Sequence, residues 1–130
     1  MKTKKILSLL LRVVVAVIFL QTLYYKFTAH PDSVHIFSEM GLEPYGRIGL
    51  GIVELITSIL ILLPMTKNMG ILISLGVIGG AIFSHFLVLG VQVEGDGGGL
   101  FTLAIVVLLC CIALLFIHKD EFMALLKKKF

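Results

Sequence analysis

The chain has 130 residues, 58% of them hydrophobic and only 15% charged, with a mean hydropathy of +1.09. Soluble domains run near about 45–50% apolar and about 25% charged, so this balance excludes a disordered chain and argues against a soluble globule, whose core at this size cannot hide so much apolar surface. The net charge of +3 is read first as topology information rather than as a nucleic-acid footprint, and no nucleic acid is expected as a partner.

A bilayer core about 30 Å thick calls for roughly 17–25 apolar residues per spanning helix. Four stretches qualify, at about residues 6–25, 46–63, 69–91 and 100–117. The first follows Lys2, Lys4 and Lys5 and carries Arg12 and Gln21. Its basic start resembles a signal peptide, but the apolar run is too long and no Ala-x-Ala site follows, so it is read as a retained span. The outer loop, 26–45, opens with His30-Pro31-Asp32, and within it 33–40 has helical spacing (Val34, Phe37, Met40) suited to the interface. The second span holds Glu54 and stops at Pro64 before a turn at 65–68; the third holds His85 and is followed by Gln92. The glycine run 95–99, with Asp96 inside it, separates the third span from an uncharged fourth. Unpaired backbone is costly in lipid, so the spans are helices. The predicted fold is all-α: a single integral membrane domain over 1–130, built as a four-helix transmembrane bundle.

Lys and Arg set the orientation. Lys2, Lys4, Lys5, Lys67, Lys119, Lys127, Lys128 and Lys129 fall on one side, and only Lys26 and Arg47 on the other. Both termini are therefore expected to be cytoplasmic. The tail, 118–130, mixes Phe122, Leu125 and Leu126 with Lys127-Lys128-Lys129 and reads as an interfacial anchor to anionic lipid rather than a partner-docking tail.

A charge near the bilayer centre costs about 2.5–3.5 kcal/mol on insertion scales, so ionisable residues there turn inward and seek partners. At 1.5 Å per residue, Glu54 lies about 12 Å below the outer end of its span, and His85 and Arg12 lie about 9 Å from their nearer ends. Arg12 and Lys26 are fourteen apart and share one stripe of the first helix; Arg47, Gly51, Glu54 and Ser58 form one stripe of the second. On the third, Gly70/Ser74 and Gly76/Gly80/Ser84 are small-residue steps suited to close helix packing. The fourth, apolar on all sides, reads as the lipid-facing or partner-facing member.

These stripes predict an outer-half pocket of Glu54, His85 and Lys26, with Gln21 and Tyr25 nearby and Asp96 capping it from the loop. Its residues are candidates for binding a polar head group or relaying a proton; the competing reading is a Glu–Lys/Arg clasp that locks helices together. Arg12 and Arg47 are read as structural charges. Cys110 and Cys111 are neighbours pointing about 100° apart, with no C-x-x-C, and read as packing residues. No nucleotide loop, nucleophile elbow, haem motif or paired metal-ligand spacing is present in the sequence. His30, His35 and Asp32 form at best a weak cation cluster, so no metal is expected.

Several short motifs in order carry a resemblance: Leu11-Arg12 leading through Ile18-Phe19-Leu20 to Lys26-Phe27; Glu43-Pro44-Tyr45-Gly46-Arg47; Gly51-Ile52-Val53-Glu54; Gly80-Ala81-Ile82-Phe83-Ser84-His85; and Asp96-Gly97-Gly98. Over about residues 8–117 the chain resembles the DoxX family of small four-helix bacterial membrane proteins. The resemblance implies the bacterial cytoplasmic (inner) membrane as location, and it carries the family's arginine, lysine, glutamate and histidine positions to Arg12, Lys26, Glu54 and His85. Leu23 and Ser58 stand where the wider family often has glycine. Some members look like the membrane subunit of a thiosulfate:quinone oxidoreductase, others are linked to oxidative-stress complexes, and animal relatives resemble chaperones of membrane proteins.

The expected function is an accessory or scaffold subunit of a membrane complex, respiratory or redox in type, with the lipid bilayer and a membrane-protein partner or a second copy as contacts. The alternative is a quinone-linked oxidoreductase subunit using Glu54, His85 and Lys26; no intrinsic cofactor is expected, and a quinone is the one the reading admits. A small-solute transporter is the weaker alternative. Whether the chain is itself an enzyme is left open.

Overall fold

Buried positions on the first helix recur every three or four residues, at Ser8, Arg12, Val15, Phe19 and Leu23, while Ile6, Leu10, Val17 and Leu20 between them are uncovered. In a bilayer those uncovered aliphatics face lipid, and the repeating stripe faces the other helices. The computed structural model describes residues 2–89 and 99–129, and among these no strand is present. The elements are α1 (Lys2–Phe27), α2 (Pro31–Glu39), α3 (Tyr45–Leu62), α4 (Lys67–Ser84) running into a π-helical turn (His85–Leu89), α5 (Gly99–Ile117) and α6 (Lys119–Lys129).

Helix α1 packs on α3, α3 on α4, α4 on α5, and α5 closes the ring on α1. Among the described residues three helices are long and apolar enough to cross a membrane, and four when the bent pair α5–α6 is taken as one span. This is the four-helix bundle expected from the sequence. The contact between Ser8 and His118 brings the start of α1 and the end of α5 together, so both chain ends leave from the same end of the bundle. The α3–α4 turn lies at that end too, through Lys67 and Glu121. The short α2 lies at the opposite end, beside the start of α3 and the π-helical turn.

Lipid provides no hydrophobic drive between helices, so close packing and interhelical hydrogen bonds hold them. The core is one cluster drawn from all four long helices: Val15, Phe19, Ile61, Ile71, Val107 and Leu114 are at its centre. Gly70 lets α4 approach α3 backbone to backbone, because a Cβ there would stand 2.6 Å from the Ile61 nitrogen. Ser74, one turn on, is buried and returns its hydroxyl to the Gly70 carbonyl at 2.7 Å, so its polar atom costs the interface nothing.

Two expectations are corrected. Helix α5 is not merely the lipid-facing member: Ala104, Val107, Cys111 and Leu114 form a buried stripe, and only its far side, with Leu109 and Phe116, is uncovered. An all-apolar helix has no sequence contrast to mark its inner face, which is why the stripe was not apparent. Of the two small-residue steps on α4, Gly70/Ser74 is the packing seam, whereas Gly76, Gly79 and Gly80 point outward with open space beyond them. The third helix passes from regular α-helix into a wider turn at His85–Leu89, and its expected end at 91 lies outside the described residues. The two cysteines are free thiols, Cys111 fully buried, consistent with packing.

Candidate functional site

Near the α2 end of the bundle, α1 and α3 run antiparallel and each brings polar groups to the seam. The stripe Arg47, Gly51, Glu54 and Ser58 is buried over its whole length. Glu54 is only 3% exposed, and its carboxylate is held from α1: Lys26 Nζ is 3.0 Å from Oε1, and the Thr22 hydroxyl is 2.8 Å from Oε2. Both oxygens are thus engaged, which is what makes a charge tolerable at this depth. Ser58 donates to the Glu54 backbone carbonyl at 2.8 Å.

Thr22 is in a special position. Its hydroxyl has one proton and two acceptors in reach, the Phe19 carbonyl and Glu54 Oε2, both at 2.8 Å. An ionised Glu54 takes that proton's hydrogen bond. A protonated Glu54 donates to the Thr22 oxygen instead, and the hydroxyl then serves Phe19. The pair satisfies either state of the carboxyl without moving a helix.

Arg47 sits above this pair. Its Nε donates to both oxygens of Glu43, at 2.8 and 3.0 Å, and its Nη1 donates to the Lys26 carbonyl. That carbonyl lies in the last turn of α1, where backbone acceptors have no helical partner. Beside it, the Phe27 ring seats on Gly51, where a Cβ would come within 2.7 Å of the ring. Arg47 therefore closes the end of α1 and does not compete with Lys26 for Glu54.

His85, 3% exposed, opens the π-helical turn, and its ring meets Phe101 of α5 edge-on with centroids 5.2 Å apart. Such turns let a helix place one side chain off its regular phase and recur at functional sites. The described contacts of Glu54 are with α1, and the ring contact described for His85 is with α5. Gln21 is exposed and does not line the seam; Thr22 takes the place expected of it. Helical phase held that signal, since at 100° per residue position 22 falls about 40° from Lys26 and position 21 about 140°. The side chain of Tyr25, and Asp96 altogether, lie outside the described residues.

A second cluster occupies the opposite end and was not singled out from sequence. Arg12 donates from Nη1 to the carbonyls of Ile61 and Leu62, at 3.0 and 3.3 Å, and from Nε to Ser8 Oγ at 3.2 Å. Ser8 Oγ is 2.7 Å from His118 Nε2, and His118 Nδ1 is 2.5 Å from Glu121 Oε2. Glu121 Oε1 also receives Lys67 at 2.8 Å and, more weakly, Asn68 at 3.4 Å. The Lys67 hydrogen bond is the main reason that the Glu121 carboxyl is held down at about 2; burial opposes it, and His118 and Asn68 add to it. Hydroxyl, imidazole and carboxylate stand in the order of a nucleophilic triad. Ser8, however, is 1% exposed with its oxygen shared between Arg12 and His118, so no acyl group can reach it. The chain of bonds ends at Arg12, which is always charged, and so it leads no proton onward. It is a clasp joining α1, α3, α4 and α6. Two of its steps, Ser8/Arg12 and His118/Glu121, are helix neighbours visible in the sequence.

No group of three His, Cys, Asp or Glu side chains positioned for a metal exists among the described residues. The family model of the DoxX-like family matches residues 10–116. The chain belongs to the DoxX-like family. No curated protein and no solved structure matches it. The DoxX-like match takes in Arg12, Lys26, Arg47, Glu54 and His85, and leaves out Ser8, His118 and Glu121, so one clasp is only partly inside the family's matched region.

Proposed function

We propose that this DoxX-like protein is an accessory or scaffold subunit of a redox-type complex in the bacterial cytoplasmic membrane, with both chain ends on the cytoplasmic side. The observation that carries the reading is the state of Glu54: both carboxylate oxygens are engaged by α1, at 3.0 Å from Lys26 and 2.8 Å from Thr22. The bundle's charges hold its own helices together, and the apolar outer faces are what it offers to a neighbour. The test is the composition of the particle after extraction in a gentle detergent. A second membrane protein at fixed stoichiometry, retained through ion exchange and sizing, is the expected result. The chain alone, carrying a quinone that Glu54→Gln loses, overturns it.

That outcome would favour the second reading, a quinone-linked subunit, for which Thr22 is the specific support. A quinone head taking up protons needs a donor that tolerates both of its own states, and Thr22 gives Glu54 a partner in either. Lys26 would balance the charge, and the electrons would come from a partner subunit.

A further inference from the structure

Helix α6 leaves α5 at 69°, crosswise to the helix it follows. Its eleven residues cover about 16 Å at 1.5 Å per residue, enough to lie across the end of the bundle. The rotation of α6 about its own axis is set at two points. Phe122 packs against the bundle core, and Glu121 is tied to Lys67 and Asn68 of α4 and, through His118, to Ser8 of α1. Leu125 and Leu126 flank Phe122 on either side around the helix, with Met123 beyond Leu126, and all three remain 46–56% exposed. Exposed lysines stand at the same end of the bundle: Lys119 and Lys127 on α6, and Lys2, Lys4 and Lys5 at the start of α1. Lys67 is excluded from this set because Glu121 engages it.

From this geometry we infer that α6 is a lipid-reading arm, seated by the Glu121 clasp so that the apolar residues flanking Phe122 enter the headgroup boundary of the adjoining leaflet while the lysines bind anionic phosphates there. The occupant follows from charge and geometry together. A helix crosswise to a span meets the bilayer before it meets anything else, and apolar residues flanked by exposed lysines match a surface that is greasy below and negative above. Against five exposed lysines from the two chain ends stands, on α6, the exposed carboxylate of Asp120; Glu121 is tied to Lys67 and His118, so the collar keeps a net positive charge toward that surface.

The experiment uses the full chain in nanodiscs of phosphatidylcholine alone or mixed with phosphatidylglycerol. An environment-sensitive fluorescent amino acid is placed at 123, 125 or 126, and at 109 on the outer face of α5 as a control for an intact bundle. Expected is protection from aqueous iodide at the α6 sites that rises several-fold when phosphatidylglycerol is present. Replacing Lys127, Lys128 and Lys129 by Gln removes that rise. Glu121→Gln evens out the differences among the three sites, because the seating is lost. Equal and full quenching at all three sites in both lipids, with position 109 still protected, overturns the inference. So does protection independent of lipid charge that appears only when a copurifying protein is present, which assigns the face to a protein partner.

Discussion

Arg12 and Arg47 perform one task in opposite directions. Arg12, on α1, donates to the Ile61 and Leu62 carbonyls in the last turn of α3; Arg47, on α3, donates to the Lys26 carbonyl in the last turn of α1. A helix C-terminus carries both unpaired acceptors and the negative end of the peptide dipole, so a cation there is favoured twice over. Leu60 and Ile59, the two preceding carbonyls of α3, are taken by the Thr66 hydroxyl and the Leu63 N–H. The end of α3 is therefore fully satisfied, and Arg12 is in the membrane because that end needs it. Arg12→Met should lower stability by roughly 2 kcal/mol or more, the order for losing hydrogen bonds from a charged group, and Arg12→Lys should recover only part of it. Reversible unfolding in mixed micelles measures both.

The Lys26–Glu54 pair makes a different prediction, because each member protects the other. Removing one partner of a buried pair costs about 3–5 kcal/mol, since it strands a charge, whereas replacing both is far milder. Lys26→Met should be the more damaging single change, and Lys26→Met combined with Glu54→Gln should lose less than the sum of the two. A double-mutant cycle on the same unfolding transition reads the coupling; strict additivity would show that the pair does not act as one.

Gly70 and Gly76 lie six residues apart on α4 and should answer oppositely to alanine. At Gly70 the new methyl meets Ile61 backbone, which cannot step aside, so Gly70→Ala should open the α3–α4 seam and lower the melting temperature. Nothing lies within 4 Å of the corresponding position at Gly76, so Gly76→Ala should be neutral or stabilising, by up to about 1 kcal/mol from helix propensity.

On α5, Leu114 is fully buried and Leu109 is 60% exposed. Leu114→Ala should cost about 2–5 kcal/mol through the cavity it leaves, and Leu109→Ala much less, because lipid fills the space. Comparable losses at both would mean that the outer side of α5 is covered by another protein in the membrane used.

The clasp at Glu121 gives a pH dependence of known sign. The carboxyl falls from its ordinary 4.5 to about 2 in the folded chain. A depressed carboxylate contributes stability above its ordinary value and loses it as pH falls through the folded one. Amide protection in α6 should therefore persist at mildly acidic pH and decline between 4.5 and about 2, and Glu121→Gln should flatten that decline. Since the side chain is 46% exposed, the effect will be local to α6 and weakened by salt.

What sequence reasoning could see depended on whether a relationship lay within one helix. Arg12 with Lys26, and Arg47 with Gly51, Glu54 and Ser58, are phases of single helices; the structure buries the second stripe and Arg12, and covers Lys26 in part. Lys26 meeting Glu54 followed from depth as well as charge. Ser8 meeting His118 did not, because 110 residues separate them and the contact depends on where α5 bends into α6. The inner face of α5 was hidden by uniformity: Ala104, Val107, Cys111 and Leu114 are as apolar as the residues facing lipid. Gly76 and Gly80 have the same spacing as Gly70 and Ser74, and only the position of α3 decides which step is covered.

The reciprocal arginines have a consequence for how the protein is made. Helix α1 enters the bilayer with two cations whose partners, Glu54 and the last carbonyls of α3, are synthesised some thirty to fifty residues later. Once the ribosome has extruded Leu62, every one of those debts is settled within a single hairpin, before α4 and α5 exist. The nascent pair is thus a self-sufficient embryo of the bundle, and the remaining two spans are added to a template that is already electrically quiet.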